Sequence, residues 1–156
     1  MPTSEIRSDR DRINNLFKSI SIEQHKVDIS LLSVFSSFMA IKAAGYVEKS
    51  VKEILSEYAR RNTNKQILQY ISSTVEYENS LNCEKIQKIF DRFEKSWWEK
   101  IDQKLDQSIR EGVNSLKTIR DQIAHGKHNG TGLTIVKQYF DSSTKLIEIS
   151  GKEILK

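Results

Sequence analysis

The chain has 156 residues, of which 37% are hydrophobic and 29% are charged, and its formal net charge at pH 7 is +4. This balance is typical of one globular domain over residues 1–156, and one proline with six glycines supplies too few turns for an all-β protein. The 25 basic residues are interspersed with 21 acidic ones, which is compatible with a polyanionic partner without requiring one.

Two long helices are predicted for the first part of the chain. The spacing of apolar residues places the first helix over residues 4–24. The second begins near Asp28 or Ser30, both of which are good helix caps, and continues to about Tyr58. Gly45 lies inside it, where the absence of a side chain permits the close approach of another helix. The apolar positions of this second helix are Leu31, Val34, Phe35, Phe38, Met39, Val47, Val51, Ile54 and Leu55.

The rest of the chain is predicted to contain shorter helices followed by two long ones. Polar breaks at residues 62–64 and 79–82 each precede a shorter helix. A long helix is expected over residues 97–124, and a glycine-containing loop at 126–132 leads to a last helix over 134–154. We therefore predict an all-α, up-and-down bundle of four long helices with one or two short extra helices.

The sequence also limits the chemistry and the location that we expect. Cys83 is the only cysteine, which excludes an internal disulfide and a cysteine-based zinc site. His125 and His128 are three residues apart, but without a third ligand in the pattern they do not favour a metal site. The N-terminal residues are polar and no run of about 18 apolar residues is present. We expect a soluble, cytoplasmic protein with no metal, no cofactor and no membrane partner.

The most informative stretch covers residues 119–126, with the sequence Ile-Arg-Asp-Gln-Ile-Ala-His-Gly, at the end of the predicted long helix. At about 100° per residue, Arg120 falls inside the apolar stripe of that helix. Burying an unpaired guanidinium is costly, because this group stays charged. Arg120 is therefore expected to meet a carboxylate, helix-end carbonyls or a cleft that takes anions.

His125 falls about 140° away from Arg120 on a regular helix. Gly126 favours the left-handed conformation that ends helices, and such a turn would swing the imidazole toward Arg120. A second copy of the helix in a two-fold dimer would also join the two residue types. Asp121, four residues before His125, is placed to orient its ring. A purely structural interpretation, with His125 capping carbonyls and Arg120 bridging to an acid, fits the same residues.

This stretch resembles the signature of HEPN domains, in which an arginine precedes a histidine by a few residues, often as R-N-x-I-A-H-G. As in HEPN domains, the stretch ends a long helix and is followed by a glycine-containing loop and a terminal helix. The segment Gly45-Tyr46-Val47-Glu48 looks like part of the long second helix that carries an acidic residue in many such domains. The layout is closest to that of the RiboL-PSP-HEPN branch, and the resemblance covers residues 28–150.

The resemblance implies a helical bundle that dimerises so that two Arg–His pairs face one cleft. It also implies metal-independent RNA cleavage of the kind found in toxin–antitoxin and phage-defence systems. Arg120 and His125 are the catalytic residues that it implies. Glu48 is a supporting residue, and so is Asp121, which stands where the family usually has asparagine.

Metal-free RNA cleavage suits these two residue types. The 2′-hydroxyl attacks the phosphorus, so the reaction needs a base, an acid for the leaving 5′-oxygen and a cation for the phosphorane charge. Histidine serves as acid or base near neutral pH, and arginine binds phosphate oxygens bidentately. One chain supplies one of each, whereas a homodimer supplies two.

We therefore predict a metal-independent endoribonuclease that acts as a toxin or phage-defence effector. Its expected partners are RNA, a second copy of the chain, and an antitoxin or companion defence protein. In the loop, Lys127 and His128 are predicted to contact the RNA backbone. The alternative is a non-catalytic HEPN-like module that binds nucleic acid, a nucleotide or a protein partner.

Overall fold

The computed structural model describes residues 2–156, and over that range it contains seven α-helices and no β-strand. The helices are α1 (Ser4–Glu23), α2 (Ile29–Asn62), α3 (Lys65–Val75), α4 (Cys83–Asp91), α5 (Lys95–Asp102), α6 (Gln107–Ala124) and α7 (Leu133–Ile154). A short 3-10 turn, Gln24–Lys26, follows α1. The predicted all-α bundle is confirmed: α1, α2, α6 and α7 are its four long helices. The short helices number three, because one predicted long helix is divided.

Side-chain caps determine where four of these helices begin. Thr3, Asn64, Asn82 and Asp106 each accept a hydrogen bond from the backbone amide three residues later. Each cap satisfies an amide that has no carbonyl partner within its own helix. The predicted breaks at residues 62–64 and 79–82 are confirmed.

The prediction of one long helix over residues 97–124 is wrong, because residues 103–106 separate α5 from α6. Asp106 caps α6, and Arg110 donates hydrogen bonds to both the carboxylate and the carbonyl oxygen of Asp102. These bonds hold the corner between the two helices. Three buried apolar residues continue the helical spacing across the corner: Ile101, Leu105 and Ile109. The sequence pattern therefore gave no sign of the break between α5 and α6.

The core lies where α2, α6 and α7 meet. Its most deeply buried side chains include Met39, Ile54, Leu55, Val113, Leu116, Phe140 and Leu146. From α1, Phe17 packs with its ring centroid 5.7 Å from that of Phe140. The apolar side of α6 is therefore covered within the chain. The pairing of α6 with its own copy, the second route from Arg120 to His125, would have to use another side of the helix and stays a prediction.

Helices α6 and α7 pack tightly against each other at Gly112. A Cβ atom on Gly112 would lie 2.5 Å from the Cβ atom of Ser142, so a larger residue would push the two helices apart. The Ser142 hydroxyl donates a hydrogen bond to the carbonyl oxygen of Ser108 at 3.3 Å, across the same contact. The first two turns of α6 are thus fixed on α7.

The apolar residues of α2 divide into two groups. Those in its C-terminal half, such as Val51 and Ile54, are buried in the core. In its N-terminal half Val34 is 60% exposed and Phe38 is 46% exposed. Within residues 2–156, α2 is the one helix long and apolar enough by length and composition to cross a membrane, and 33% of its apolar window is buried. Helix α2 is thus a core helix at one end and presents an apolar face at the other.

Candidate functional site

Arg120 lies near the end of α6 and faces α2. Its side chain is 32% exposed, and its Nε atom lies 3.8 Å from Oε1 of Glu48 on α2. Its Nη1 atom lies 3.4 Å from Oδ1 of Asp121. The expectation that this guanidinium meets a carboxylate is confirmed. The structure thus brings together Arg120, Asp121 and Glu48, three of the residues that the sequence singled out.

Ser80, in the loop between α3 and α4, joins the two carboxylates. Its backbone amide donates a hydrogen bond to Oε1 of Glu48 at 2.7 Å, and its hydroxyl donates to Oδ1 of Asp121. Ser80 is buried and has a φ angle of 53°, in the left-handed region that non-glycine residues rarely adopt. The sequence analysis missed Ser80, and the polar break at residues 79–82 was the only signal near it.

The carboxylate of Asp121 is held in its ionised form. Its Oδ2 atom lies 2.7 Å from Nζ of Lys117. Its Oδ1 atom accepts hydrogen bonds from the Ser80 hydroxyl and from Nη1 of Arg120. Partial burial opposes ionisation, but hydrogen bonds from Lys117 and Ser80 outweigh it and lower the pKa of Asp121 to about 2. Both oxygens are engaged by groups other than His125. The predicted orientation of the His125 ring by Asp121 is therefore not a feature of the single chain.

His125 is the C-terminal cap of α6 and is exposed. Its backbone amide donates to the carbonyl oxygen of Asp121 at 3.0 Å. Gly126 has a φ angle of 72°, which confirms the predicted left-handed helix end. Among residues 2–156, no hydrogen bond joins the side chains of His125 and Arg120. The turn at Gly126 therefore does not by itself join the two side chains by a hydrogen bond.

The loop after His125 lies against the beginning of α2. Lys127 and His128 are both exposed in it. His128 and residues 130–133 line a cavity together with the first two turns of α2, from Ile29 to Ser36. Asn129 fixes the loop to α6 by donating a hydrogen bond of 2.6 Å to the side-chain oxygen of Gln122. The histidine-bearing loop and the exposed apolar end of α2 are therefore neighbours.

Glu48 lies in line with the exposed apolar residues of α2. Positions separated alternately by three and four residues form one stripe on a helix, the spacing of coiled-coil seams. We call these positions the α2 stripe: Leu31, Val34, Phe38, Ile41, Gly45 and Glu48. A Cβ atom on Gly45 would meet nothing within 4 Å, so the close helix approach predicted there is not made within the chain.

Two further observations concern reactive groups. Within the part of the chain that the structure describes, residues 2–156, no group of three or more His, Cys, Asp or Glu side chains could hold a metal ion. Cys83 is buried, and burial raises the pKa of its thiol to about 11. Since the thiolate is the reactive form of cysteine, Cys83 is unreactive near neutral pH.

Comparison with known protein families gives a match over almost the whole chain. A family model described as RiboL-PSP-HEPN matches residues 4–156. No curated protein and no solved structure matches the chain. The matched range includes Glu48, Ser80, Arg120, Asp121 and His125.

The lowered pKa of Asp121 predicts a pH-dependent stability. Its folded value is about 2 against an ordinary value of 3.8. The ionised carboxylate therefore stabilises the fold above about pH 4, and this contribution is lost as the pH falls toward 2. We expect Asp121→Asn to lower the free energy of unfolding by about 1–2 kcal/mol at pH 7 and by much less at pH 2, in urea titrations.

The matched control is Asp141→Asn, which removes an exposed carboxylate paired with Lys137 one helical turn away. It should change the free energy of unfolding by less than about 0.5 kcal/mol. If Asp121→Asn cost the same at both pH values, the ionised carboxylate would not be what stabilises this junction.

Proposed function

The chain belongs to the RiboL-PSP-HEPN family, and from that premise we propose that it is a metal-independent endoribonuclease acting as a homodimer. At the family level, membership supports a nuclease or nucleotide-binding HEPN module. The observation that carries the finer proposal is the partly exposed Arg120, oriented by Glu48 and Asp121 five residues before the exposed His125.

Arg120 retains the capacity to bind a phosphate. Strong charge-assisted hydrogen bonds between a guanidinium and a carboxylate measure about 2.7–2.9 Å. The contacts to Glu48 and Asp121, at 3.8 and 3.4 Å, are longer than that and leave part of the guanidinium exposed. A guanidinium has five N–H donors in a fixed plane, so those not directed at the carboxylates remain for a phosphate.

In the proposed reaction, one His125 imidazole removes the proton of the RNA 2′-hydroxyl. The 2′-oxygen then bonds to the adjacent phosphorus as the bond to the 5′-oxygen breaks. A second His125, in its protonated form, gives its proton to that leaving oxygen. The products are a 2′,3′-cyclic phosphate and a 5′-hydroxyl, and Arg120 stabilises the negative charge of the phosphorane. Since each chain has one such histidine, the reaction requires two copies.

The α2 stripe supports the homodimer. It is an exposed apolar surface with coiled-coil spacing, and exposed apolar patches of this kind mark interaction sites. In the proposal, two copies of α2 pair through this stripe across a two-fold axis. The loop at residues 126–132 of each chain borders α2. The proposed pairing places both His125 side chains and both Arg120 guanidiniums at one cleft.

The proposal extends to partners and biological role. Lys127 and His128 are exposed in the loop, where they are available to the RNA backbone. We propose that the chain acts as a toxin or phage-defence effector in the cytoplasm. Its proposed protein partner is an antitoxin or a companion defence protein.

One observation favours a second candidate, a non-catalytic HEPN-like module that binds nucleic acid, a nucleotide or a protein. Within residues 2–156 of one chain, the side chains of His125 and Arg120 share no hydrogen bond. If no dimer forms, each chain has an anion-binding arginine without a paired acid and base. Such a chain would bind RNA without cutting it.

Cleavage of RNA by the purified chain tests the proposal. We expect cleavage to persist in EDTA and to yield fragments ending in cyclic or 2′/3′-phosphate, because the 2′-hydroxyl is the nucleophile. His125→Ala should lower the rate by about 10²–10⁴-fold, the usual contribution of an acid–base group. The measurement is the cleavage rate with end-group analysis by mass spectrometry.

His25→Ala, which removes an exposed histidine in the turn after α1, is the matched control and should cleave normally. Arg120→Lys should restore little of the activity lost in Arg120→Ala, since lysine lacks the bidentate fork. Strict dependence on a divalent ion, or fragments ending in a 3′-hydroxyl, would exclude the mechanism. Full activity of Arg120→Lys would mean that the arginine supplies charge alone.

A charge placed in the α2 stripe tests the dimer. Phe38 lies near its centre, and burial of an unpaired carboxylate against a second copy is strongly unfavourable. Phe38→Glu should therefore give a folded monomer whose cleavage rate is at least about ten-fold lower. Analytical ultracentrifugation gives the mass, and far-UV circular dichroism reports folding.

Tyr70→Glu is the control, because Tyr70 is an exposed aromatic residue on α3, outside the stripe. This variant should keep both the mass and the rate of the wild type. A Phe38→Glu protein that still dimerises would show that the interface lies elsewhere. A monomer that cleaves at the wild-type rate would refute a shared site.

A further inference from the structure

We propose that Ser80 is a positioning residue, which fixes the direction of the Arg120 guanidinium through the two carboxylates beside it. The proposal rests on the function proposed above, in which Arg120 binds the reacting phosphate. Ser80 comes from the loop between α3 and α4, and it lies 32 residues from Glu48 and 41 residues from Asp121 in the sequence.

The same carboxylate oxygens bind Ser80 and Arg120. Oε1 of Glu48 accepts the Ser80 amide at 2.7 Å and lies 3.8 Å from Nε of the arginine. Oδ1 of Asp121 accepts the Ser80 hydroxyl and lies 3.4 Å from Nη1 of the arginine. Ser80 thus holds in place both oxygens that flank the guanidinium.

This arrangement has two consequences for Arg120. Carboxylates that cannot rotate fix the plane of the guanidinium, and a bidentate contact to phosphate depends on that plane. Ser80 also competes with the arginine for the carboxylate lone pairs, since each oxygen has few hydrogen-bonding sites. The arginine contacts therefore stay longer than a closed ion pair, and its outer N–H groups remain available.

The backbone of Ser80 indicates that the hydroxyl is the reason for a serine here. At a φ of 53°, glycine or asparagine would be accommodated more easily. A turn alone therefore does not call for serine, whereas the bond to Asp121 requires a side-chain donor.

The loop is attached to the bundle independently of this hydroxyl. Leu81 is buried in the core, and Asn82 caps α4. The Cys83 amide donates a hydrogen bond of 2.9 Å to the side-chain oxygen of Asn114 on α6. Replacing Ser80 should thus leave the loop in place, which makes its effect on Arg120 measurable.

Ser80→Gly separates the role of the hydroxyl at Asp121 from the role of the residue in the turn. Glycine keeps the amide for Glu48 and adopts the positive φ readily, but removes the hydroxyl from Asp121. We expect the thermal stability to fall only slightly, because relief of the positive φ offsets part of the loss of the hydrogen bond to Asp121, while kcat for RNA cleavage falls at least about ten-fold, the size of effect that misplacement of a catalytic group produces. A Ser80→Gly protein that cleaves at the wild-type rate would mean that Ser80 only shapes the turn, and would overturn the proposal.

Asn79→Ala is the matched control, because Asn79 is exposed in the same loop and its side chain makes no hydrogen bond in the part of the chain described, residues 2–156. Its kcat should equal that of the wild type. A ten-fold loss in this control as well would attribute the effect to the loop as a whole and would overturn a specific role for Ser80.

A second readout does not depend on RNA cleavage. In the 15N- and 13C-labelled full chain, Ser80→Gly should raise the pKa of the Asp121 carboxyl and broaden the Arg120 Nε–H resonance, while Asn79→Ala changes neither. If the wild type does not cleave RNA, these NMR signals still decide the proposal, so its failure is distinguishable from failure of the proposed function. An unchanged Asp121 titration together with a sharp Arg120 signal in Ser80→Gly would refute it.

Discussion

The guanidinium of Arg120 stays charged at any physiological pH, and a charge at the junction of two packed helices needs partners. Glu48 supplies one from α2, and Asp121 supplies another from the same turn of α6. These carboxylates need donors in turn, which come from Ser80 and Lys117. The loop before α4 reaches the α2–α6 junction, and the short helices α3 and α4 lie on either side of it. A permanent charge in an apolar stripe is thus compensated by groups from α2, from α6 and from this loop.

The same junction shows which parts of the molecule the sequence could reveal. Local periodicity and capping residues indicated every long helix, and a local motif indicated Arg120 and His125. The corner between α5 and α6 was hidden because Leu105 continues the apolar spacing through it. Ser80 was hidden for another reason: its partners, Glu48 and Asp121, are distant in sequence, and only the packing of α2 against α6 brings them together.

Helix α2 shows the limit of periodicity most clearly. Its apolar spacing correctly predicts a helix but does not say what covers each face. The C-terminal half is covered by the chain's own core, whereas the α2 stripe is exposed and leads directly to Glu48. The α2 stripe ends at the charged junction, and within residues 2–156 Arg120 and His125 are close in sequence but share no hydrogen bond. In the proposed function, a second copy covers the stripe and completes the site.

The central claim is that one catalytic centre is shared between two copies of the chain. The most direct measurement mixes wild-type chains, by joint refolding, with an increasing excess of chains carrying both Arg120→Ala and His125→Ala. Each mixed dimer then has one histidine and one arginine where the reaction needs a base and an acid. The account predicts that RNA cleavage per wild-type chain falls toward zero as the inactive chains enter the dimers. Cleavage per wild-type chain that stays constant at every ratio, with mixed dimers verified by mass, would show that each chain cuts RNA on its own and would contradict the account.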